Sequence, residues 1–426
     1  MHILFLSDNF PPETNAPAGR TFEHAREWVR AGHSVTVITG APNFPKGELF
    51  PGYRNRLWQE EWMEGIRVVR LWTFIAPNQG RLRRTLDYLS FMTSAILAAP
   101  FIRNVDVVVG TSPQFFTACA AWVAASLKRA PFVFELRDLW PASIRAVGAL
   151  PPGLALRWLE GLELFLYRRA AGIVAVTHAF RDNLARRGID RTKISVVTNG
   201  ADLSLFSPRA PDSGLLESLG ISGRFVSGYI GTHGMAHGLD TVLEAARLLD
   251  ERAPGRHAVL MLGEGARKAR LKARALREGI RNVVFVDAVP KGRVPDYWAL
   301  LDISVIHLRR DPVFREVIPS KLFEATAMGV PVVLGLEGEA AEIVERHEIG
   351  VTVEPENAQA MAEAVVALAN DAERRATVRA NALRVAPGYE RKQLAGQMLD
   401  VLAEVVAHRA PRRRPSATRR PWRQRS

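Results

Sequence analysis

Short apolar runs punctuate the chain at regular intervals. In the first half they fall at 2–7, 34–39, 105–109, 132–135, 172–176 and 195–198; in the second half at 225–230, 258–263, 283–286, 303–307, 330–334 and 350–353. Each run is apolar throughout rather than alternating, which is the pattern of parallel strands covered on both faces. Helical stretches separate most of them, so repeated βα units predict doubly wound α/β sheets. The two sets imply two Rossmann-like domains in series, at 1–206 and 215–390. The Pro- and Gly-containing stretch SPRAPDSG at 207–214 supplies the linker. A last helix, about 391–408, follows Pro387-Gly388 beyond the second strand set and is expected to pack back on the first domain. Ligands of open α/β sheets bind at the carboxyl ends of the strands. Two such sheets facing each other therefore predict a cleft built from post-strand loops of both halves.

Composition narrows the chemistry. The 426 residues fit two domains, and 47% apolar residues are enough to build cores. Cys119 is the single cysteine, which excludes an intramolecular disulfide framework and a multi-cysteine zinc site; within FFTACAAW it reads as a core residue. The histidines are scattered without metal-ligand spacing, so no metal is expected. The net charge is +13, but it is unevenly placed. Residues 409–426 (RAPRRRPSATRRPWRQRS) hold eight arginines and no acid, which leaves +5 for the rest of the chain. This tail, with three prolines and few apolar residues, is expected to be disordered. It reads as an anchor to anionic lipid, with a solubilising role as the plain alternative. No RNA- or DNA-binding motif accompanies it, so nucleic acid is not expected as a partner.

Met1–Ser7 lacks a basic segment and Asp8 interrupts it, so no secretory signal is expected. No run of about 20 apolar residues predicts a membrane-spanning helix. The segment 86–102 (LDYLSFMTSAILAAPFI), flanked by Arg81, Arg83, Arg84 and Arg103, suits either a helix at a membrane surface or a buried helix of the α/β domain.

The densest chemistry lies in 315–331, REVIPSKLFEATAMGVP. Pro319 cannot sit inside a helix, Ser320 reads as an N-cap, and a helix over 321–328 should stop at Gly329. The free N–H groups of its first turn make an anion site, and Lys321 adds a formal charge. Glu316 and Glu324 flank that site at a spacing of E-x7-E. Carboxylates beside a phosphate site accept hydrogen bonds from sugar hydroxyls, so the set suits a nucleotide-sugar. Walker, dinucleotide-fingerprint and nucleophile-elbow motifs are missing, which argues against NTPase, dehydrogenase and serine-hydrolase chemistry.

PSKLFEATAMGVPVV resembles the donor-site motif of retaining GT-B glycosyltransferases of the glycosyltransferase family 4 type. FPPETNAPAGR, RAGHSVTVITG, DLWP, TNGAD, YIGTHGMAHGLD, LGEGAR and AAEIVERHEIG follow in that family's order, and the likeness covers roughly 1–408. FPPE, PNFPKG and DLWP are most similar to the bacterial surface-polysaccharide branch, which includes L-fucosamine transferases of O-antigen and colanic-acid-type pathways. The resemblance implies a GT-B fold of two facing domains, the first for acceptor and the second for donor. It implies ribose binding by Glu324, and donor-sugar contact and charge stabilisation by Glu316. Ser320, Lys321 and Leu322 would meet the diphosphate, and the turn at 16–20, with Gly19, would approach the phosphates from the other domain. Gly231, Thr232, His233 and Gly234 would line the sugar and phosphate side, with Gly263 and Glu264 near the nucleoside. For Glu264 an ordinary turn role stands beside that one, and His178 and His233 also suit structural roles.

Two departures from the family pattern matter. The Arg/Lys pair that many members aim at the diphosphate is replaced by GTHGMAHG, with Thr232 and His237 near those positions, so neutralisation would lean on Lys321, Arg315 and the helix terminus. A histidine common near the donor hexose is replaced by ELRDLW, where Asp138 takes a catalytic or acceptor-positioning role or else forms an ion pair with Arg137 or Arg145. The resemblance implies a retaining, metal-independent hexosyltransferase that needs no cofactor beyond a nucleotide-sugar co-substrate, a UDP-linked N-acetylated hexosamine or deoxyhexosamine. The implied acceptor is a sugar on undecaprenyl diphosphate, at the cytoplasmic face of the plasma membrane. A nucleotide-sugar epimerase of the same fold, or a soluble transferase with a small acceptor, are the alternatives.

Overall fold

In the computed structural model, residues 1–44, 47–75, 81–146 and 153–409 are described. Residues 45–46 of PNFPKG and the arginine-rich segment from 410 onward lie outside them.

The first domain holds an eight-stranded sheet in the order β3-β4-β2-β1-β5-β6-β7-β8. Its strands are β1 (His2–Leu6), β2 (Ser34–Gly40), β3 (Trp58–Met63), β4 (Ile66–Leu71), β5 (Val107–Thr111), β6 (Phe132–Leu136), β7 (Gly172–Ala175) and β8 (Ile194–Val196). The second holds six parallel strands in the order β11-β10-β9-β12-β13-β14. These are β9 (Phe225–Ile230), β10 (His257–Leu262), β11 (Val283–Val286), β12 (Ile303–His307), β13 (Val332–Gly335) and β14 (Gly350–Thr352). Two doubly wound sheets thus form the α/β architecture read from the apolar runs.

The hairpin β3–β4 was not among the apolar runs, and its chemistry explains why. β3 (WQEEWM) pairs antiparallel with β4 at the edge of the sheet, with Trp62 69% exposed. In β4 (IRVVRL), Arg70 is buried, donates to the Gly40 carbonyl at 3.1 Å and pairs with Glu61. An edge strand with one wet face, and a buried arginine satisfied by backbone, both break up an apolar run.

Among the parallel strands of each sheet, chain order reverses at one place. β1 lies between β2 and β5, in register Leu4↔Thr36 and Leu4↔Val108; β9 lies between β10 and β12. These are the switch points where loops diverge to opposite faces and leave a crevice for ligand. The loops that lead to Gly19, Gly231, Gly263 and Lys321 leave one of these strands or a neighbour, and the Asp138 loop leaves β6, one strand further out.

One face of the first sheet packs under the helices Arg81–Ala98, Phe115–Lys128 and Leu154–Arg169. The helix Arg81–Ala98 turns Phe91, Ala95 and Ala98 into that core and leaves Leu97, and Phe101 just beyond it, 67% and 72% exposed. Burial and surface exposure are thus properties of its two faces. The other face is covered by Ala16–Arg30 and by Arg391–Arg409, which contributes Leu394, Met398 and Leu402 to the cluster around Phe5 and Trp28. Trp28 donates its indole N–H to the Ala395 carbonyl at 2.8 Å. The chain therefore crosses between domains twice, before β9 and after Ala386–Tyr389.

The two crossings touch. Ala201 N–H donates to the Tyr389 carbonyl at 3.0 Å, and Arg391 N–H donates to the Ala201 carbonyl at 3.0 Å. A Cβ on Gly200 would lie 2.1 Å from the Tyr389 oxygen and 2.5 Å from Leu394 Cδ1, so only glycine fits there. Gly200→Ala is expected to cost about 1–3 kcal/mol by overpacking. The thermal midpoint should drop by roughly 2–4 °C for each kcal/mol lost, read by calorimetry.

Candidate functional site

The first-domain half of the site is built around Arg20. Its guanidinium is buried, pairs with Glu135 of β6 at 2.8 Å, and donates to the carbonyls of Thr198 at 2.8 Å and Val197 at 3.1 Å. Burial pushes the Glu135 carboxyl up, but the guanidiniums of Arg20 and Arg137 win and hold it below its ordinary value. Arg137, in turn, donates to the carbonyls of Ala16 at 3.1 Å and Pro17 at 3.3 Å. The segment 16–20 is the opening of the 15-residue helix Ala16–Arg30 rather than a free turn. Asn15 caps that helix by accepting from Ala18 N–H, and Pro17 suits its first turn, so Gly19 sits inside the helix.

Asp138, just past β6, is half-buried, and loss of solvent pushes its carboxyl up to about 6 against a hydrogen bond from Ser143. Among the described residues it forms no ion pair, since Arg137 is spent on the Ala16 and Pro17 carbonyls. Asp8 and Asp87 are two further carboxyls above their ordinary range, Asp8 through burial and then Asp87's charge, Asp87 at about 6 through burial and then Glu13's charge.

The second-domain half is built on the loop after β9. Gly231 N–H donates to the Leu262 carbonyl at 2.9 Å and His233 N–H to the Glu264 carbonyl at 2.8 Å, so this loop lies against the loop after β10. A Cβ on Gly263, at φ 142°, would fall 2.0 Å from the Gly231 oxygen, and the approach requires glycine. Glu264 pairs with Lys268 at 2.9 Å, and Thr232 is exposed. The His233 ring is buried beside Tyr229 and Phe285, and burial, with Lys268, Lys321 and Lys272 nearby, lowers it to about 4. His237 is likewise held well below its ordinary value by burial and then by Lys321, so it carries no charge at neutral pH. His307, at the end of β12, accepts from Glu356 N–H at Nε2 (2.9 Å) and therefore donates from Nδ1 to the His237 carbonyl at 2.8 Å. It pins the loop after β9 to the exit of β14.

The helix Lys321–Met328 ends at Gly329 as its sequence requires, but its start differs from the expected one. Ser320 has helical torsions (φ −55°, ψ −30°) and makes no capping hydrogen bond. The first turn already closes on Pro319, whose carbonyl accepts from Leu322 N–H at 2.9 Å. A residue must be extended to cap, so no side chain covers this helix start. The Leu322 side chain is wholly in the core. Lys321 turns its Nζ 3.7 Å over the Tyr229 ring, next to Gly231, and no hydrogen-bond acceptor among the described residues reaches it. Burial lowers this ammonium to about 7, offset by the Glu324 charge. Burial raises the Glu324 carboxyl, against the positive charges of Arg391, Lys291 and Lys321.

Glu316 and Arg315 do not join that cluster. The Glu316 carboxylate accepts from Asn183 of the first domain at 3.0 Å and lies 3.6 Å from Arg186, and burial raises it. Arg315 is exposed and bonded to Glu337 at 2.6 Å. Beside them, Glu339 accepts from His178 N–H at 3.0 Å and Ala179 N–H at 2.7 Å, capping a first-domain helix from the second domain. The arrangement therefore brings Lys321, Glu324, His237, Gly231 and Gly263 to one floor, sets Gly19 and Asp138 across from it, and places Glu316 at the contact between domains. No motif marks Lys291 and Glu23, which meet between the domains; the signal that would find Lys291 is its place in a loop beyond a strand's carboxyl end. Among the described residues no group of three or more His, Cys, Asp or Glu is placed to hold a metal ion, and no helix is long and apolar enough to cross a membrane.

A glycosyl transferase 4-like domain model matches residues 16–200, and a glycosyl transferases group 1 model matches 216–385. The chain is 30% identical over 408 residues to a D-inositol 3-phosphate glycosyltransferase of Xylanimonas cellulosilytica, covering 92% of each. It is 27% identical over 377 residues to WcaI of Escherichia coli K12, a glycosyl transferase named for colanic acid biosynthesis, covering 85% of this chain and 90% of that one. Among solved structures, Anabaena Alr3699/HepE in complex with UDP and glucose aligns with a TM-score of 0.71 at 19% identity, over 94% of this chain and 99% of that one.

The buried, unpaired Lys321 has a measurable consequence. Its ammonium is charged below about pH 7 and neutral above, so its attraction for an anion fades as pH rises. The affinity for inorganic pyrophosphate of the wild type relative to Lys321→Met should be greatest at pH 6 and shrink above pH 7, by up to about tenfold per pH unit. Calorimetric titration of both proteins checks this, and the ratio removes pyrophosphate's own titration; a ratio independent of pH contradicts it.

Proposed function

The chain belongs to the glycosyl transferases group 1 family, and from that premise we propose that it is a retaining, metal-independent glycosyltransferase of bacterial surface-polysaccharide biosynthesis. The observation that carries the donor reading is the uncapped start of the Lys321–Met328 helix, flanked by the Lys321 ammonium and the Glu324 carboxylate. A diphosphate suits the positive end of the helix dipole and the ammonium, and a ribose diol suits the carboxylate. UDP as the base-bearing part is supported by the fold neighbour solved with UDP and glucose. An N-acetylated hexosamine or deoxyhexosamine as the sugar rests on the motif branch.

In this reading the bond from the sugar's anomeric carbon to the diphosphate breaks, and the bond to the acceptor oxygen forms on the same face. The acceptor's proton passes to the departing diphosphate. The helix start and Lys321 stabilise the leaving charge, and backbone groups after β9 face the oxocarbenium-like centre. Glu316 contacts the sugar after its carboxylate leaves Asn183. Asp138, half-buried with its carboxyl raised to about 6, orients the acceptor hydroxyl.

A lipid-linked acceptor, a sugar on undecaprenyl diphosphate, is supported by the relative named for colanic acid biosynthesis and by a second named for teichuronic acid biosynthesis, TuaH of Bacillus subtilis. Docking on the cytoplasmic face of an anionic membrane is supported by the arginine-rich tail. It is supported also by the exposed Leu97 and Phe101, with Trp58 stacked edge-on against Phe101 at 6.2 Å.

Incubation with UDP-, GDP- and dTDP-sugars and lipid-linked saccharide acceptors should give one extended product whose new linkage keeps the donor's anomeric configuration, read by NMR. Glu324→Ala should lose at least about 100-fold in donor use, an effect of the size seen when a positioned polar contact is removed. An inverted product overturns retention, and donor consumed without acceptor points to the epimerase instead. Removal of residues 409–426 should weaken binding to anionic liposomes, most steeply at low salt; unchanged binding refutes the anchor.

A further inference from the structure

One cation at the cleft has no part in the donor site so far. Lys291 belongs to the second domain, in the loop after β11. Its ammonium reaches the first domain and pairs with Glu23, one helical turn from Gly19. A Cβ on Gly19 would come within 3.4 Å of the Lys291 Nζ, and the same charge is felt by the Glu324 carboxyl. Lys291 therefore sits between Gly19, proposed to approach the phosphates, and the carboxylate proposed for the ribose.

Glu23 does not depend on Lys291 alone. Its other oxygen is held by Arg391, which also donates to the Gly200 carbonyl at the domain crossing. Arg391 is 11% exposed and anchored in two directions, whereas Lys291 is 34% exposed and carries its charge on a flexible stem. A lysine that leaves Glu23 strands no buried charge, because Arg391 remains. The site also needs positive charge: the loop after β9 supplies Thr232 and a neutral His237 where the family pattern has Arg and Lys, and the Lys321 ammonium lies over the Tyr229 ring.

We propose that Lys291 is a phosphate-binding residue of the donor site, parked on Glu23 and transferred to the diphosphate when the nucleotide-sugar enters. This rests on the donor reading above. A diphosphate offers more negative charge and more acceptor oxygens than one shared carboxylate, so the exchange is downhill. The move leaves Glu23 on Arg391 and draws the two domains onto the donor.

Calorimetric titration of UDP, GDP and dTDP identifies the diphosphate the wild type binds, and the matching monophosphate and nucleoside complete the series. K291Q is expected to weaken the diphosphate by about tenfold or more, the monophosphate less and the nucleoside not at all, with K291R retaining most of the affinity. E23Q, which removes the parking carboxylate, is expected to leave the diphosphate at least as tightly bound. Equal weakening of all three ligands by K291Q and E23Q would make the pair a simple domain latch and overturn the proposal, as would an unaltered K291Q. A wild type that binds none of the three diphosphates removes the donor reading itself, and this inference with it.

Discussion

The buried pair of Arg20 and Glu135 is the constraint from which the cleft takes its shape. A guanidinium and a carboxylate, 2% and 1% exposed, are costly to bury unless every donor is used. Arg20 spends its donors on Glu135, on the carbonyls of Thr198 and Val197, and on the Asn199 side chain. It thereby ties the helix Ala16–Arg30 to β6 and to the chain leaving the first domain. That tie sets where Gly19 and Glu23 stand relative to the second domain. Removing either partner would leave an uncompensated buried charge, so the pair holds as a unit.

Charge in the cleft is arranged with restraint. The second-domain floor carries two histidines held neutral and one lysine lowered to about 7, rather than a row of permanent cations. Permanent cations packed together without anions would repel one another in a buried site. Burial solves this by suppressing charge until an anion arrives. The more exposed Lys291 solves it differently, by resting on a carboxylate that Arg391 also neutralises. Contact between domains is equally polar: Glu339 caps the helix His178–Arg186, and Asn183 holds Glu316. Polar contacts of this kind can be exchanged for water as a cleft opens, which a large apolar seam would resist.

Much of the fold was legible along the chain because parallel strands covered on both faces write themselves as unbroken apolar runs. The two doubly wound sheets followed from those runs. β3 and β4 were not legible, since an edge strand alternates and a buried Arg70 looks like a surface residue until its partners are known. At the site, the PSKLFE segment announced a helix start bearing Lys321 and Glu324. It did not announce that the turn closes on Pro319 and leaves Ser320 uncapping, because that depends on backbone torsions.

The chain by itself determined what is local and periodic: α/β class, two domains, a glycine-terminated helix bearing Lys321 and Glu324, and a family likeness carried by contiguous motifs. Tertiary structure decided which charges meet. Lys291 and Glu23 are 268 residues apart, Arg391 and Glu23 are 368 apart, and Glu316 finds Asn183 across 133 residues. Periodicity reports only which face of an element is buried. The identity of the group opposite comes from strand order and domain approach, and no run of neighbouring residues contains it.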